Sequence, residues 1–232
     1  HQHTPGGSSS GSAAAVAAGI VPLAIGTQTQ GSVIRPAAFC GVVGFKPSFG
    51  ILPIEGIFPF SGSLDHVGLF TRSVDDVAYA FDLLQHTSAR ADEYVKPALD
   101  LDQELASNPN PRLAFLKTPF DHFISQEQSV AIQHAISKLR SEGVIVDEIE
   151  LPAFFWDSLH SMTTLMFYEA AVVHQHHVKE FKHLLSEHIQ NLVTQGQAIT
   201  AIEYANAKNT QSQMRQSVAV SYTHLTLPTI CS

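Results

Sequence analysis

Cysteine is nearly absent from this chain: Cys40 and Cys231 are the only two in 232 residues. A disulfide framework is therefore excluded, and the chain fits a reducing, cytoplasmic compartment. Cations are scarce as well, with 13 Lys and Arg against 21 Asp and Glu and a formal net charge of −8. That balance argues against nucleic acid or an acidic membrane as partner, since both call for a basic surface. No long apolar run is present. The longest, Ala13–Ile25, is interrupted by Gly19 and Pro22 and is too short to span a bilayer. There is no initiator Met and no targeting signal, so the start His1-Gln2-His3-Thr4-Pro5 reads as the middle of a gene. No internal repeat, no cofactor motif and no HExxH pattern occurs.

What is present is concentrated near the start. GGSSSGS at 6–12 and GTQTQGSVIRP at 26–36 place two glycine-flanked serines, Ser8 and Ser32, 24 positions apart, with a helix-then-strand apolar pattern between them. A flexible linker needs no such organisation. Nucleophilic catalysis does, because a hydroxyl must sit on a tight turn beside free backbone N–H groups.

The remaining pattern alternates strands with helices, which indicates a layered α/β fold. Alanine-rich Ser12–Ala18 ahead of Gly19 predicts a short buried helix, and Val21–Ile25 an interior strand. The turn at Gly26–Ser32 leads to a short helix near Val33–Cys40, and Val42–Phe45 reads as the next strand. Ser73 before Asp75 and Asp76 marks a helix start, with Val74, Val77, Ala78, Phe81 and Leu84 directed inward. Residues 85–111 read as a polar surface connection. Leu113–Leu116 and Val144–Ile149 are strand candidates around a helix at Gln126–Glu142, stopped by Gly143. Ser158–Thr194, closed by Gly196, and Ile199–Val218 read as helical.

The uninterrupted block GGSSSGSAAAVAAGIVPLAIGTQTQGSVIRPAAFCGVVGFKPSFG at 6–50 resembles the amidase signature family, and SLDHVGLFTRSVDDVAYAFDLL at 63–84 resembles the segment that follows it there. The likeness is strongest in the first third and thins to about residue 219. It implies a mixed central β-sheet flanked by helices on both faces, and hydrolysis or transfer of an amide by a Ser–cis-Ser–Lys triad. Carried over by position, Ser32 is the acyl-accepting nucleophile and Ser8 the relay serine preceded by a cis peptide. The backbone N–H groups of Thr29, Gln30, Gly31 and Ser32 form the oxyanion hole. The family's lysine base lies upstream of the glycine–serine motif and has no counterpart here, so residues 1–219 are expected to be a partial amidase domain, inactive alone. The resemblance implies a small-molecule amide substrate and no cofactor. Two other readings stand beside it: an A-type component of a glutamine-dependent amidotransferase, and a non-catalytic relative of the same fold. Ser10 and Gln30 replace glycines usual in the family; Gln30 is tolerable if its φ stays in an allowed region, and could narrow the pocket. VSYTHLTLPT at 220–229 resembles a translated transposase sequencing adapter, so 220–232 is set apart as a non-native tail.

Other chemistry-bearing residues receive structural readings. Lys46 ends a strand rather than replacing the base, Ser9 is a hydrogen-bonding strut, and Cys40 is a small buried residue. Arg35 and Asp65 are expected to form a buried ion pair. Met166, Phe167 and Tyr168 suit either a pocket wall or the core. His174, His176, His177, His183 and His188 are placed on one helix as a solvated face, with His176–Glu180 and His183–Glu187 at i, i+4 spacing.

Overall fold

The computed structural model describes residues 3–85 and 112–223, with side chains to residue 218. The connection over 86–111, the end of the tail from 224 and Cys231 lie outside the described residues. The chain divides into two compact units, His1–Leu99 with Leu165–Ile199, and Asp100–Thr164 with Thr200–Ser232.

The first unit is built on a three-stranded antiparallel sheet. Strand β1 (Leu23–Gln28) and strand β2 (Val43–Phe45) flank a central β3 (His66–Thr71), with Leu23 and Val43 both opposite Thr71. The alternation of β3 separates two apolar layers. Phe70 points to one face, where Ala13 and Val16 of helix α1 (Ser10–Ala17) and Ala37 of helix α2 (Ile34–Cys40) bury it together with Val33. Leu69 points to the other, against Val77 and Ala80 of helix α3 (Val74–Gln85), with Phe45 and Phe81 meeting edge-on at 5.0 Å. Helices thus cover both faces of the sheet.

Close packing of α2 on the sheet requires small residues. A Cβ on Gly44 would lie 2.4 Å from that of Ala37, and one on Gly68 would lie 2.6 Å from Val33 Cγ2. Ser73 caps α3 by accepting from Asp76 N–H at 3.1 Å, as its sequence position predicts. Val74 nevertheless faces solvent at 67% exposure. It is the first residue of the helix, ahead of the turn whose Val77 meets Leu69, so the expectation that it points inward is corrected.

The second unit contains a parallel pair, β4 (Arg112–Lys117) and β5 (Ile145–Glu150), joined by helix α4 (Gln126–Ser141). This is a βαβ crossover, with Gly143 at φ 86° turning the chain back after α4. Arg112–Asp147 and Lys117–Glu148 are paired across the two strands. A short helix α5 (Ala153–Asp157) precedes α6 (His160–Phe181); from Leu165 onward α6 belongs to the first unit, as does α7 (Glu187–Ala198), and α8 (Ala201–Thr223) returns to the second. The last therefore runs past Val218. Gly196 does not end a helix, as its sequence suggests. It lies within α7, where an added Cβ would stand 2.0 Å from the Phe167 carbonyl oxygen, so it marks a close crossing with α6. Among the described residues no helix is long and apolar enough to cross a membrane.

Candidate active site

Two of the four serines in the 6–12 motif, Ser9 and Ser12, serve the edge of the sheet. Among the described residues β1 pairs only with β3, so alternate residues on its other side present N–H and C=O groups outside the ladder, which must find partners where water is excluded. Ser9 Oγ accepts from Thr27 N–H at 3.2 Å and donates to the Thr27 carbonyl at 3.1 Å. Ser12 Oγ donates to the Ile25 carbonyl at 2.8 Å. Serines three apart on a helical turn thus meet residues two apart on a strand. Gly26 lies between them because a Cβ there would stand 2.7 Å from Ser9 Oγ and 2.8 Å from Phe70 Cε2.

This clamp delivers Ser8 to the turn that carries Ser32. The Gly7–Ser8 peptide is cis, and Ser9 N–H donates to the Ser32 carbonyl at 3.2 Å. Gly6, at φ 81°, lies close enough to Pro36 that a Cβ would stand 3.0 Å from Pro36 Cα. Ser8 is exposed and Ser32 half-buried. Among the described residues neither hydroxyl has a hydrogen-bond partner, and they do not bond one another.

The turn itself is clipped at both ends. Gln28, buried at the end of β1, accepts through Oε1 from Val33 N–H at 2.9 Å and Ile34 N–H at 3.0 Å. These are orphan donors at the start of α2, so the amide oxygen acts as a cap reaching back along the turn. Thr29 Oγ1 donates to Asp65 Oδ1 at 2.7 Å. Among the described residues, the intervening N–H groups of Thr29, Gln30, Gly31 and Ser32 donate to no protein group. Gln30 is exposed and its φ is not positive, so its side chain introduces no backbone strain. Four consecutive free donors beside an unbonded hydroxyl can stabilise an oxygen that acquires negative charge.

A profile of the amidase family matches residues 1–226. The chain belongs to the amidase family. It is 39% identical over 155 residues to the A-type component of glutamyl-tRNA(Gln) amidotransferase from Staphylococcus aureus, covering 66% of this chain and 32% of that protein. Among solved structures it resembles an amidase at TM-score 0.78 and 33% identity, covering 93% of this chain and 46% of the other. It also resembles native peptide amidase from Stenotrophomonas maltophilia at TM-score 0.70 and 28% identity, covering 89% and 47%. This amidase-family chain thus spans about a third of the amidotransferase component and under half of the solved amidases.

Several expectations need correction. Arg35 and Asp65 form no ion pair: Arg35 is exposed, with its guanidinium over Gly31, while Asp65 is buried. Asp65 instead accepts from Thr29 Oγ1 and, through Oδ2, from Phe60 and Ser61 N–H at 2.8 Å each. A run of local donors satisfies the carboxylate without a cation. The five histidines do not share one helix. His174, His176 and His177 lie on α6, His183 on the 3₁₀ turn Lys182–Leu184, and His188 on α7.

Nor is that face uniformly solvated. His176 pairs with Glu180 at 3.2 Å, but His174 is buried against the rings of Phe58, Phe60 and His177. Burial, reinforced by His177, holds His174 below the ordinary histidine range, and Asp65 opposes the shift. Among the described residues no metal-binding group of His, Cys, Asp and Glu occurs. Cys40 is half-buried rather than buried, with Sγ 3.6 Å from the Pro5 carbonyl.

Lys46 donates to the Pro47 carbonyl at 2.7 Å, which suits the structural reading. It also lies near His66, a residue the sequence did not single out. His66 stands opposite Gln28 in the β1–β3 ladder and bonds the Leu64 carbonyl through Nδ1 at 2.5 Å. Burial, with Lys46 adding to it, lowers its pKa. Met166, Phe167 and Tyr168 are half-buried.

Proposed function

We propose that this chain carries the acyl-accepting part of an amidase active site acting on a small carboxamide. Ser32 is the nucleophile, Ser8 the proton relay, and the N–H groups of Thr29, Gln30, Gly31 and Ser32 the oxyanion hole. The observation that carries this reading is the run of four N–H groups ending at Ser32 that donate to no protein group among the described residues, held beside Ser8 by the Ser9–Ser32 bond.

Serine is a weak nucleophile at neutral pH and needs a base. In the reaction, Ser32 Oγ attacks the amide carbonyl while its proton passes to Ser8 and the Ser8 proton passes to the base. The carbonyl oxygen takes up negative charge facing the free donors. Collapse breaks the C–N bond, and the relay returns a proton to the departing amine. Water then adds to the ester on Ser32 by the same route, releasing the acid. A lysine whose pKa is lowered by burial or neighbouring donors supplies the base in the family resemblance. No residue of this chain is assigned to that role, and Lys46 is engaged elsewhere.

On this reading residues 1–219 are a partial amidase domain, residues 220–232 are extraneous to it, and a cytoplasmic setting fits the scarce cysteine. The complete reading frame containing this segment should release amine from simple carboxamides and lose that activity in Ser32→Ala, whereas residues 1–232 alone should show none. Turnover by residues 1–232 alone, abolished by Ser32→Ala, would overturn the assignment of the base outside the chain.

The identity to an amidotransferase component favours a second reading, in which the same serine chemistry releases ammonia within a glutamine-dependent complex. Copurification of the full-length product with partner proteins, and glutamine as preferred amide, would select it.

A further inference from the structure

The oxyanion turn is connected to helix α6 by a continuous chain of charge-assisted hydrogen bonds that the serine chemistry does not itself require. Glu169, on α6, accepts from Ser61 Oγ at 2.7 Å, from Ser63 N–H at 2.9 Å and from Ser63 Oγ at 2.6 Å. Both carboxylate oxygens therefore grip the loop that precedes β3, more than a hundred residues away in sequence. That loop is closed on itself by Asp65, whose Oδ2 accepts from Phe60 and Ser61 N–H and whose own N–H donates to the Ser61 carbonyl at 2.8 Å. The other oxygen of Asp65 receives the Thr29 hydroxyl. Ser61 and Thr29 thus meet the same carboxylate from opposite sides, one held by Glu169 and the other opening the donor run.

We propose that Glu169 is a positioning residue for the oxyanion turn. Its carboxylate fixes Ser61 and Ser63, these set the orientation of the Asp65 carboxylate, and Asp65 orients Thr29 and with it the N–H groups through Ser32. The inference rests on the reading of those N–H groups as the oxyanion hole. The physical reason for using a carboxylate is the number of donors: at least three converge, and an ionised carboxylate accepts at both oxygens, whereas a carboxamide has one acceptor oxygen. Gln28 already fixes the far end of the turn at Val33 and Ile34. Without Glu169 the near end is tied, among the described residues, through a loop that has lost this anchor on α6. Donors that must meet an oxyanion lose effect steeply when displaced by about an ångström.

Hydrogen exchange of residues 1–232 reads the linkage directly and needs no activity. Glu169→Gln, and the milder Ser63→Ala should the first fold poorly, are expected to raise exchange of the bonded Ser61, Ser63 and Asp65 amides and, within 28–33, of the Val33 amide held by Gln28, while leaving α1 and the interior of β3 unchanged. In the complete reading frame, Glu169→Gln should lower kcat about 10- to 100-fold with KM nearly constant, because the donors act on the transition state rather than on bound substrate. Unchanged exchange over 28–33 in both variants would overturn the proposal, as would a rise spread evenly over the whole unit. If Ser32→Ala leaves amide turnover intact, the functional reading fails, while the exchange result still decides whether Glu169 holds the turn.

Discussion

Ser9→Ala separates a structural serine from the proposed relay serine within one short motif. The Ser9 hydroxyl makes two bonds to the free edge of β1, one to each polar group of Thr27. An average protein hydrogen bond contributes about 1 kcal/mol net, and Ser9 is half-buried, so water can recover part of the loss; a destabilisation of about 1–2 kcal/mol follows. For a domain of this size that corresponds to a fall in Tm of roughly 3–6 °C. Ser8→Ala is the matched control. Its hydroxyl is exposed and has no partner among the described residues, so its stability should stay within about 0.5 kcal/mol of the parent.

The assay is urea denaturation followed by far-UV circular dichroism. Fluorescence would be misleading, because the only tryptophan, Trp156, belongs to the second unit. The expected result is a lower midpoint with unchanged slope for Ser9→Ala and no shift for Ser8→Ala. Equal midpoints for Ser9→Ala and parent, or an equal fall in Ser8→Ala, would refute the assignment of Ser9 to the sheet edge. In the complete reading frame the order should reverse for activity, with Ser8→Ala losing turnover despite full stability.

Gln28→Leu removes the acceptor for Val33 and Ile34 N–H, and should cost about 1–3 kcal/mol by the same denaturation assay. Gly196→Ala places a methyl against the Phe167 carbonyl and should destabilise by about 1–3 kcal/mol, visible as accelerated exchange in α6 and α7. His66 and His174 both have pKa values lowered in the folded chain, so the unfolded chain binds more protons as pH falls below about 6.5. Stability is therefore full above that pH and declines below it until the folded-state values are passed. Denaturation midpoints between pH 7.5 and 5 should show the decline, and His174→Gln should flatten it; a flat profile in the parent would contradict the burial of these rings.

The glycine–serine spacing, the short helix after it (read as Ser12–Ala18, observed as Ser10–Ala17), the Ser73 cap and the strand–helix–strand order across 112–150 could be read along the chain because each depends on neighbours within a few positions. Repeating apolar residues select a face, a serine before two acids marks a helix start, and glycine marks a reversal, whatever lies elsewhere. The ends of β1 were less legible. It runs to Gln28, three residues beyond the apolar run, because β3 supplies ladder partners as far as His66.

The long-range connections of the polar groups were decided by the tertiary structure. Asp65 looked like a partner for Arg35 because opposite charges in neighbouring motifs suggest a pair, yet folding surrounded it with the Thr29 hydroxyl and two backbone donors. Glu169 carried no signal, since its partners Ser61 and Ser63 approach only when α6 packs beside the loop before β3. His174 was indistinguishable from its exposed neighbours until Phe58 and Phe60 covered it. Sequence by itself marked the serines proposed to react and the segments that form strands and helices. Which donors remained free, and which carboxylates held them in place, depended on contacts between distant segments that only the folded chain brings within hydrogen-bond range.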